Sequence, residues 1–287
     1  MRISVGDVQL FFEVFGEEWV FTGRAFRRRP VLIGLHGGPG LDGTKLRYQL
    51  APLADVAQVV VPDQRGHGRS ERGTPETWNL TTWAADVKNL SEALDIERPV
   101  VLGFSFGGGV AQQYASTYPD DPAGLILVSA SARRWSSEET IERFREVGGD
   151  EAAEAHRRDL EAPSEETAAE WARVCFPLLS RRAGADPVLE RLEAWRFENQ
   201  SVEVNHHVAE GNETDLRPAL GAVRCPTLVV IGEDDPLISM SLAHEIVEAI
   251  PDGLARLQPI QRAAHDVFAD NQEQTYSCIR EFLADLP

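Results

Sequence analysis

Along most of this 287-residue chain, short apolar runs ended by glycine, proline or charge alternate with stretches in which apolar residues recur every three or four positions. Residues 2–5 and 8–15 instead alternate apolar and polar around Gly6-Asp7, which predicts an antiparallel hairpin at the start of a sheet. Residues 19–29 fit neither pattern, and their Arg27-Arg28-Arg29 triplet reads as a solvated strand end. The runs at 31–35, 58–61, 100–104, 124–129 and 226–232 are short and uniformly apolar, as strands buried on both faces are. A sixth such strand is expected near 255–258. Helical spacing marks 81–95, through Trp83, Val87, Leu90 and Leu94 with Thr81 or Thr82 as N-cap, and also 110–115, 240–250 and 267–286. Strands alternating with amphipathic helices predict an α/β fold, a mostly parallel sheet with helices on both faces.

Between 131 and 216 the pattern changes. No strand-like run occurs there, helical stretches fall at 138–147, 165–179 and 187–211, and 20 acidic side chains face 11 basic ones. The block reads as a helical insertion, leaving 1–130 and 217–287 as the two parts of one core.

Composition removes several function classes. The formal charge of −18 disfavours nucleic acid and anionic membrane as partners. No apolar run approaches the roughly 20 residues a bilayer span needs, and the first residues carry no secretory signal. Cys175, Cys225 and Cys278 are odd in number and far apart, which argues against a disulfide framework or a cysteine metal site. A cytoplasmic protein acting on a small molecule or short peptide, without metal or organic cofactor, is the expectation. Oligomeric state is not legible.

The chemistry gathers where strands are expected to end, which is where open α/β sheets place their sites. Gly103-Phe104-Ser105-Phe106-Gly107 joins a strand to a helix. A nucleophile on so sharp a turn needs small neighbours two residues to either side, and gains an exposed hydroxyl at a helix N-terminus. Serine needs a base, and the base needs a carboxylate to fix its tautomer. Of seven histidines only His265 follows the last strand; His36 and His67 sit in glycine-rich loops and are expected to brace them. For the acid, Asp235 is preferred to Asp234, because the extra residue after Gly232 lets the turn aim its side chain across at the histidine. Asp266 is expected to favour a helix N-terminus. The backbone N–H groups of Phe106 and Gly38 form the expected oxyanion hole, with Gly37 as the fallback.

Taken together, these segments resemble the α/β-hydrolase superfamily and, within it, the proline iminopeptidase family. His36-Gly37-Gly38-Pro39-Gly40 is similar to that family's His-Gly-Gly-Pro-Gly loop. Asp63-Gln64-Arg65-Gly66-His67-Gly68-Arg69-Ser70 is similar to its Asp-Gln-Arg-Gly-x-Gly-x-Ser segment. The resemblance covers roughly residues 30–130 and 218–285. It implies that 131–216 is a cap over a catalytic cleft, and that acidic cap residues hold the substrate's free ammonium. Glu198 and Glu203 are the candidates, with Glu210 and Glu213 behind them. The implied activity is release of N-terminal residues, proline preferred, through an acyl-enzyme. A carboxylic-ester or lactone hydrolase with the same Ser105, Asp235 and His265 is the alternative, and a non-hydrolytic binding protein or lyase on the same scaffold a more remote one. Two departures stand out: Ala264 precedes His265 where many relatives have glycine, and the cap lacks a clear tryptophan–glutamate signature.

Overall fold

The computed structural model describes every residue except Trp135, Pro163, Ala183, Asn212, Glu213 and Pro287. In chain order the elements are β1 (Arg2–Val5), β2 (Val8–Phe15), β3 (Trp19–Phe21), β4 (Phe26–Arg28), β5 (Val31–Leu35), α1 (Thr44–Leu50), β6 (Gln58–Pro62) and α2 (Leu80–Ala93). They continue with β7 (Val100–Phe104), α3 (Phe106–Thr117), β8 (Gly124–Val128), α4 (Ser137–Glu161), α5 (Glu165–Val174), α6 (Pro187–Glu198), α7 (Val202–Gly211) and α8 (Arg217–Leu220). The chain closes with β9 (Thr227–Gly232), α9 (Met240–Ala249), β10 (Ala255–Ile260), α10 (Val267–Asp270) and α11 (Gln272–Asp285).

Eight strands form one sheet in the order β1-β2-β6-β5-β7-β8-β9-β10. The β1–β2 and β2–β6 pairings are antiparallel and every later pairing is parallel. The five strands β5 to β9 are buried almost throughout, because helices cover both faces. One core layer, including Trp83, Val87, Tyr114 and Ile246, lies under α2, α3 and α9. The other, including Leu50, Leu53, Phe268 and Ile279, lies under α1 and α11.

Residues 19–29 form a separate two-stranded ribbon, β3 with β4. Helix α2 is capped at Asn79, two residues before the first of the threonines expected to cap it. Asn79 has extended backbone, and its side chain accepts from Thr82 N–H at 2.9 Å, so Thr82 is a donor in the first turn rather than the cap. The final helix also breaks, at Asn271, whose side chain restarts it by accepting from Gln274 N–H.

Within 131–216 the regular elements among the described residues are helices, as expected, with different limits. Helix α4 continues past Val147 to Glu161, with a kink at Gly149 (φ 76°), which interrupts the periodicity there. The single helix expected over 187–211 is two, separated at Asn199-Gln200-Ser201. These helices carry a small apolar cluster of their own, Phe144, Ala152, Ala155 and Cys175.

Candidate active site

Ser105 sits between the end of β7 and the start of α3 with φ 52° and ψ −117°, a backbone region that L-residues rarely adopt. Its amide donates to Val128 O at 2.9 Å, and Gly108 N–H closes the turn on Ser105 O. The glycines around it are sterically required. A Cβ on Gly103 would meet the Gly107 and Gly108 backbone at 2.6 Å, and one on Gly107 would meet Leu35 C and His36 O at 2.6 and 2.7 Å.

The structure brings Ser105, His265 and Asp235 into one chain of hydrogen bonds. Ser105 Oγ lies 3.0 Å from His265 Nε2, and His265 Nδ1 lies 2.9 Å from Asp235 Oδ2. A carboxylate can only accept, so Nδ1 carries the proton and Nε2 is left to take one from the hydroxyl. The other Asp235 oxygen accepts Leu237 and Ile238 N–H at 2.8 and 3.0 Å, which holds a fully buried carboxylate in one orientation. Asp234 points away to the surface, where it pairs with Arg181. The histidine loop is fixed from both sides. Ser129 Oγ donates to His265 O at 2.8 Å, and the Gly232 turn lies so close to Ala263 and Ala264 that no Cβ would fit.

Asp266 caps α10 through Ala269 N–H, as a helix-start carboxylate should. It also accepts from Gln49 Nε2 at 2.7 Å and pairs with Lys45 at 3.0 Å.

The Gly37-Gly38-Pro39-Gly40 loop faces Ser105. Gly38 has φ 147° and Gly40 φ 86°, both glycine conformations. Among the described residues, neither Gly38 N–H nor Phe106 N–H has an acceptor. Beneath this loop, His36 Nδ1–H donates to Gly37 O and its Nε2 accepts from Gln64 N–H, while His67 Nδ1–H donates to Arg65 O. Arg65 is buried and reaches both Asp86 and Asp7 with paired hydrogen bonds, tying the loop to α2 and the first hairpin. The two loop histidines therefore brace, as their glycine-rich setting suggests.

Burial pushes His36 down to about 4, and burial together with the neighbouring His36 pushes His67 down to about 3. Burial also takes His156, hydrogen-bonded to Thr140 and Trp171, down to about 4. The unfolded chain protonates these side chains from about pH 6.5 downward while the fold keeps them neutral. Stability therefore drops as pH falls from about 6.5 toward 4, by up to ~1.4 kcal/mol per pH unit for each histidine. Urea unfolding at pH 7.5, 6 and 5 measures this, and an unchanged midpoint over that range contradicts it.

Two cavities, of about 810 and 490 Å³, meet at the serine. Both are bordered by Gly38, Pro39, Ser105, Asn205 and Leu237. The larger lobe runs under the inserted helices past Trp171, Phe176 and Phe197, with Lys45 and Glu193 in its wall. The smaller is lined by Trp78, Trp83, Phe106 and Leu216, with Arg133 and His207 toward its edge. Glu198 and Glu203 are not brought to this cleft. Both are exposed and neither lines a lobe. The Glu210 side chain and all of Glu213 lie outside the described residues.

The glutamates that do line the larger lobe are Glu190 and Glu193. Their outward neighbours gave no sequence signal of this, since helix phase relative to the cleft depends on how α6 docks on α1. Among the described residues no group of three or more His, Cys, Asp or Glu side chains could hold a metal ion.

Comparison with known proteins agrees with this geometry. The family model described as alpha/beta hydrolase fold matches residues 30–272. The chain belongs to the α/β-hydrolase family. Relatives within this family differ in what their names say they do. The AB hydrolase superfamily protein YisY of Bacillus subtilis is 28% identical over 88% of this chain and 91% of its own length. The proline iminopeptidase PfmaB of Pestalotiopsis fici is 26% identical over 98% of both chains. Among solved structures, a thermophilic esterase from Thermogutta terrifontis superposes with a TM-score of 0.73 at 27% identity, covering 100% of this chain and 98% of that one. A hydrolase of the α/β fold is the activity class these likenesses support, and no described helix is long and apolar enough to cross a membrane.

Proposed function

We propose that the chain is a serine hydrolase that cleaves carboxylic esters or lactones through an acyl-enzyme. His265 takes the Ser105 proton as the hydroxyl attacks the substrate carbonyl, and Asp235 stabilises the imidazolium that results. The N–H groups of Phe106 and Gly38 receive the oxyanion, one such donor being worth about 3–4 kcal/mol in the transition state. His265 returns the proton to the leaving alkoxide, and a water activated the same way then releases the acid. In this reading the inserted helices are a cap, and the two lobes hold the acyl and leaving groups on either side of Ser105.

The observation that carries the ester reading over the peptidase one is the state of the carboxylates in the cleft. An ammonium group needs a desolvated anion to receive it. Glu193 and Asp266 are both already paired with Lys45, at 2.9 and 3.0 Å, and Glu193 also with Arg196. Asp186 caps α6. The described lining of the smaller lobe contains no carboxylate. A neutral acyl group suits those paired carboxylates better than an ammonium does, which favours the ester reading over the aminopeptidase one.

Cleavage of N-terminal proline remains the second reading because Glu190 lines the larger lobe with no ion pair to a described residue, and because the similarity to PfmaB spans the whole chain. A panel separates the two. p-Nitrophenyl esters of acetate to octanoate are expected to turn over at least about 100-fold faster, in kcat/KM, than proline p-nitroanilide. The reverse order overturns the ester assignment. Buried free thiols at Cys175, Cys225 and Cys278 suit a reducing compartment, which supports a cytoplasmic location.

A further inference from the structure

Asn205 is hard to account for as a helix residue. It lies four positions beyond Ser201, inside α7, where asparagine is a poor helix former and caps nothing. Its side-chain amide makes no hydrogen bond to any described residue, although the residue is half-buried. It is nevertheless one of the few residues that border both lobes of the cleft, together with Ser105 and Gly38.

The end of α6 and the start of α7 are also held firmly against the loops beside the serine. Ser201 N–H donates to Gly40 O at 2.7 Å, Arg72 contacts the Ser201 hydroxyl, and Arg196 Nε donates to Asp42 O at 3.2 Å. Gly40 is glycine because a Cβ there would lie 2.8 Å from Ser201 O and 3.1 Å from the Asn205 Cβ. Gly66 is crowded in the same way by Val204. The side chain of Asn205 therefore projects from a turn fixed to the same loop that carries the Gly38 amide.

We propose that Asn205 is a catalytic residue, its Nδ2–H donating to the oxygen of the scissile carbonyl as charge develops there, beside the N–H groups of Gly38 and Phe106. The inference rests on the acyl-enzyme reading of Ser105. A substrate that fills both lobes displaces water from the amide, and leaving such a group unpaired is costly, so the substrate has to satisfy it. A substrate bridging the lobes would carry its scissile carbonyl past Ser105, at the junction that Asn205 also borders. A carboxamide suits the task, because it donates without adding a charge to a site that must tolerate a neutral ester before attack and an anion after it.

The test uses Asn205→Ala and the isosteric Asn205→Asp, with p-nitrophenyl butyrate turnover, the rate of fluorophosphonate labelling of Ser105, and thermal unfolding. Removal of the donor is expected to lower kcat about 100-fold with KM changed less than about threefold. Labelling should slow in parallel, since phosphonylation builds the same oxyanion. Asn205→Asp is expected to lose more than Asn205→Ala, its carboxylate repelling the developing charge, while its unfolding midpoint stays near that of the parent protein. Wild-type kcat in both variants, or a loss confined to KM, overturns the role of Asn205. If the parent protein is neither labelled at Ser105 nor active on esters, the serine-hydrolase reading itself fails, and this inference with it.

Discussion

Ser105→Ala is expected to lower ester turnover about a million-fold, the scale seen when a triad nucleophile is removed from a serine hydrolase. The hydroxyl is the only group at this turn placed to attack: it lies 3.0 Å from His265 Nε2, at the meeting point of both lobes. Stability should move the other way. Ser105 holds φ 52° and ψ −117°, a backbone state that costs an L-residue about 1–3 kcal/mol. Ser105→Gly removes that strain and is expected to raise the thermal midpoint by a few degrees while abolishing activity. The paired measurement, initial rates and thermal unfolding on both variants, tests the position as a strained catalytic turn. An alanine variant that still hydrolyses esters at more than about 1% of the parent rate excludes Ser105 as the nucleophile.

Gly107→Ala is expected to be among the most damaging single methyl groups that can be added to the described core. The new Cβ would press on the Leu35 carbonyl and lie 2.6 Å from Leu35 C and 2.7 Å from His36 O. These are backbone atoms at the end of a central strand, so no rotamer change relieves the overlap. Either α3 moves off the sheet, taking Ser105 with it, or β5 ends early and the Gly38 loop is lost. A cost above about 4 kcal/mol is expected, which for a protein of this size lowers the thermal midpoint by about 10 °C or more. Gly221→Ala supplies the contrast. Its φ is −59°, and an added Cβ would come no nearer than 3.9 Å to any neighbour. That change is expected to be neutral or stabilising by about 0.4–1 kcal/mol, through the unfolded chain. Equal effects of the two substitutions in thermal or urea unfolding would show that the close approach at Gly107 is relieved without cost.

The fold class was legible because each central strand is a short apolar run covered on both faces, and burial of that kind leaves no polar position to blur the pattern. The spacing of glycines around Ser105 was legible for a related reason: close backbone approach forbids side chains, and the prohibition shows in the sequence. Asp235 over Asp234 could be argued from the length of the turn, since one more residue reverses which way a side chain faces. Helix limits were less legible. Asn79 and Asn271 decide where α2 and α11 begin, yet threonine at 81 and an unbroken apolar spacing through 267–286 offered equally good local signals.

What the sequence by itself determined, then, is the alternating sheet and helix core, the glycines its turns demand, and the three loops that carry hydroxyl, carboxylate and imidazole. Only the tertiary structure decided which side chains of the inserted helices face the serine. Glu198 and Glu203 point to solvent, while Glu193 lies in the cleft already neutralised by Lys45, a partner 148 positions away in the chain. The physical reason is that the turns carrying Ser105, Asp235 and His265 are fixed by local sterics and the sheet they end, whereas the phase of an inserted helix is set by long-range docking, here of α6 on α1 and of α7 on the Gly40 and Gly66 loops.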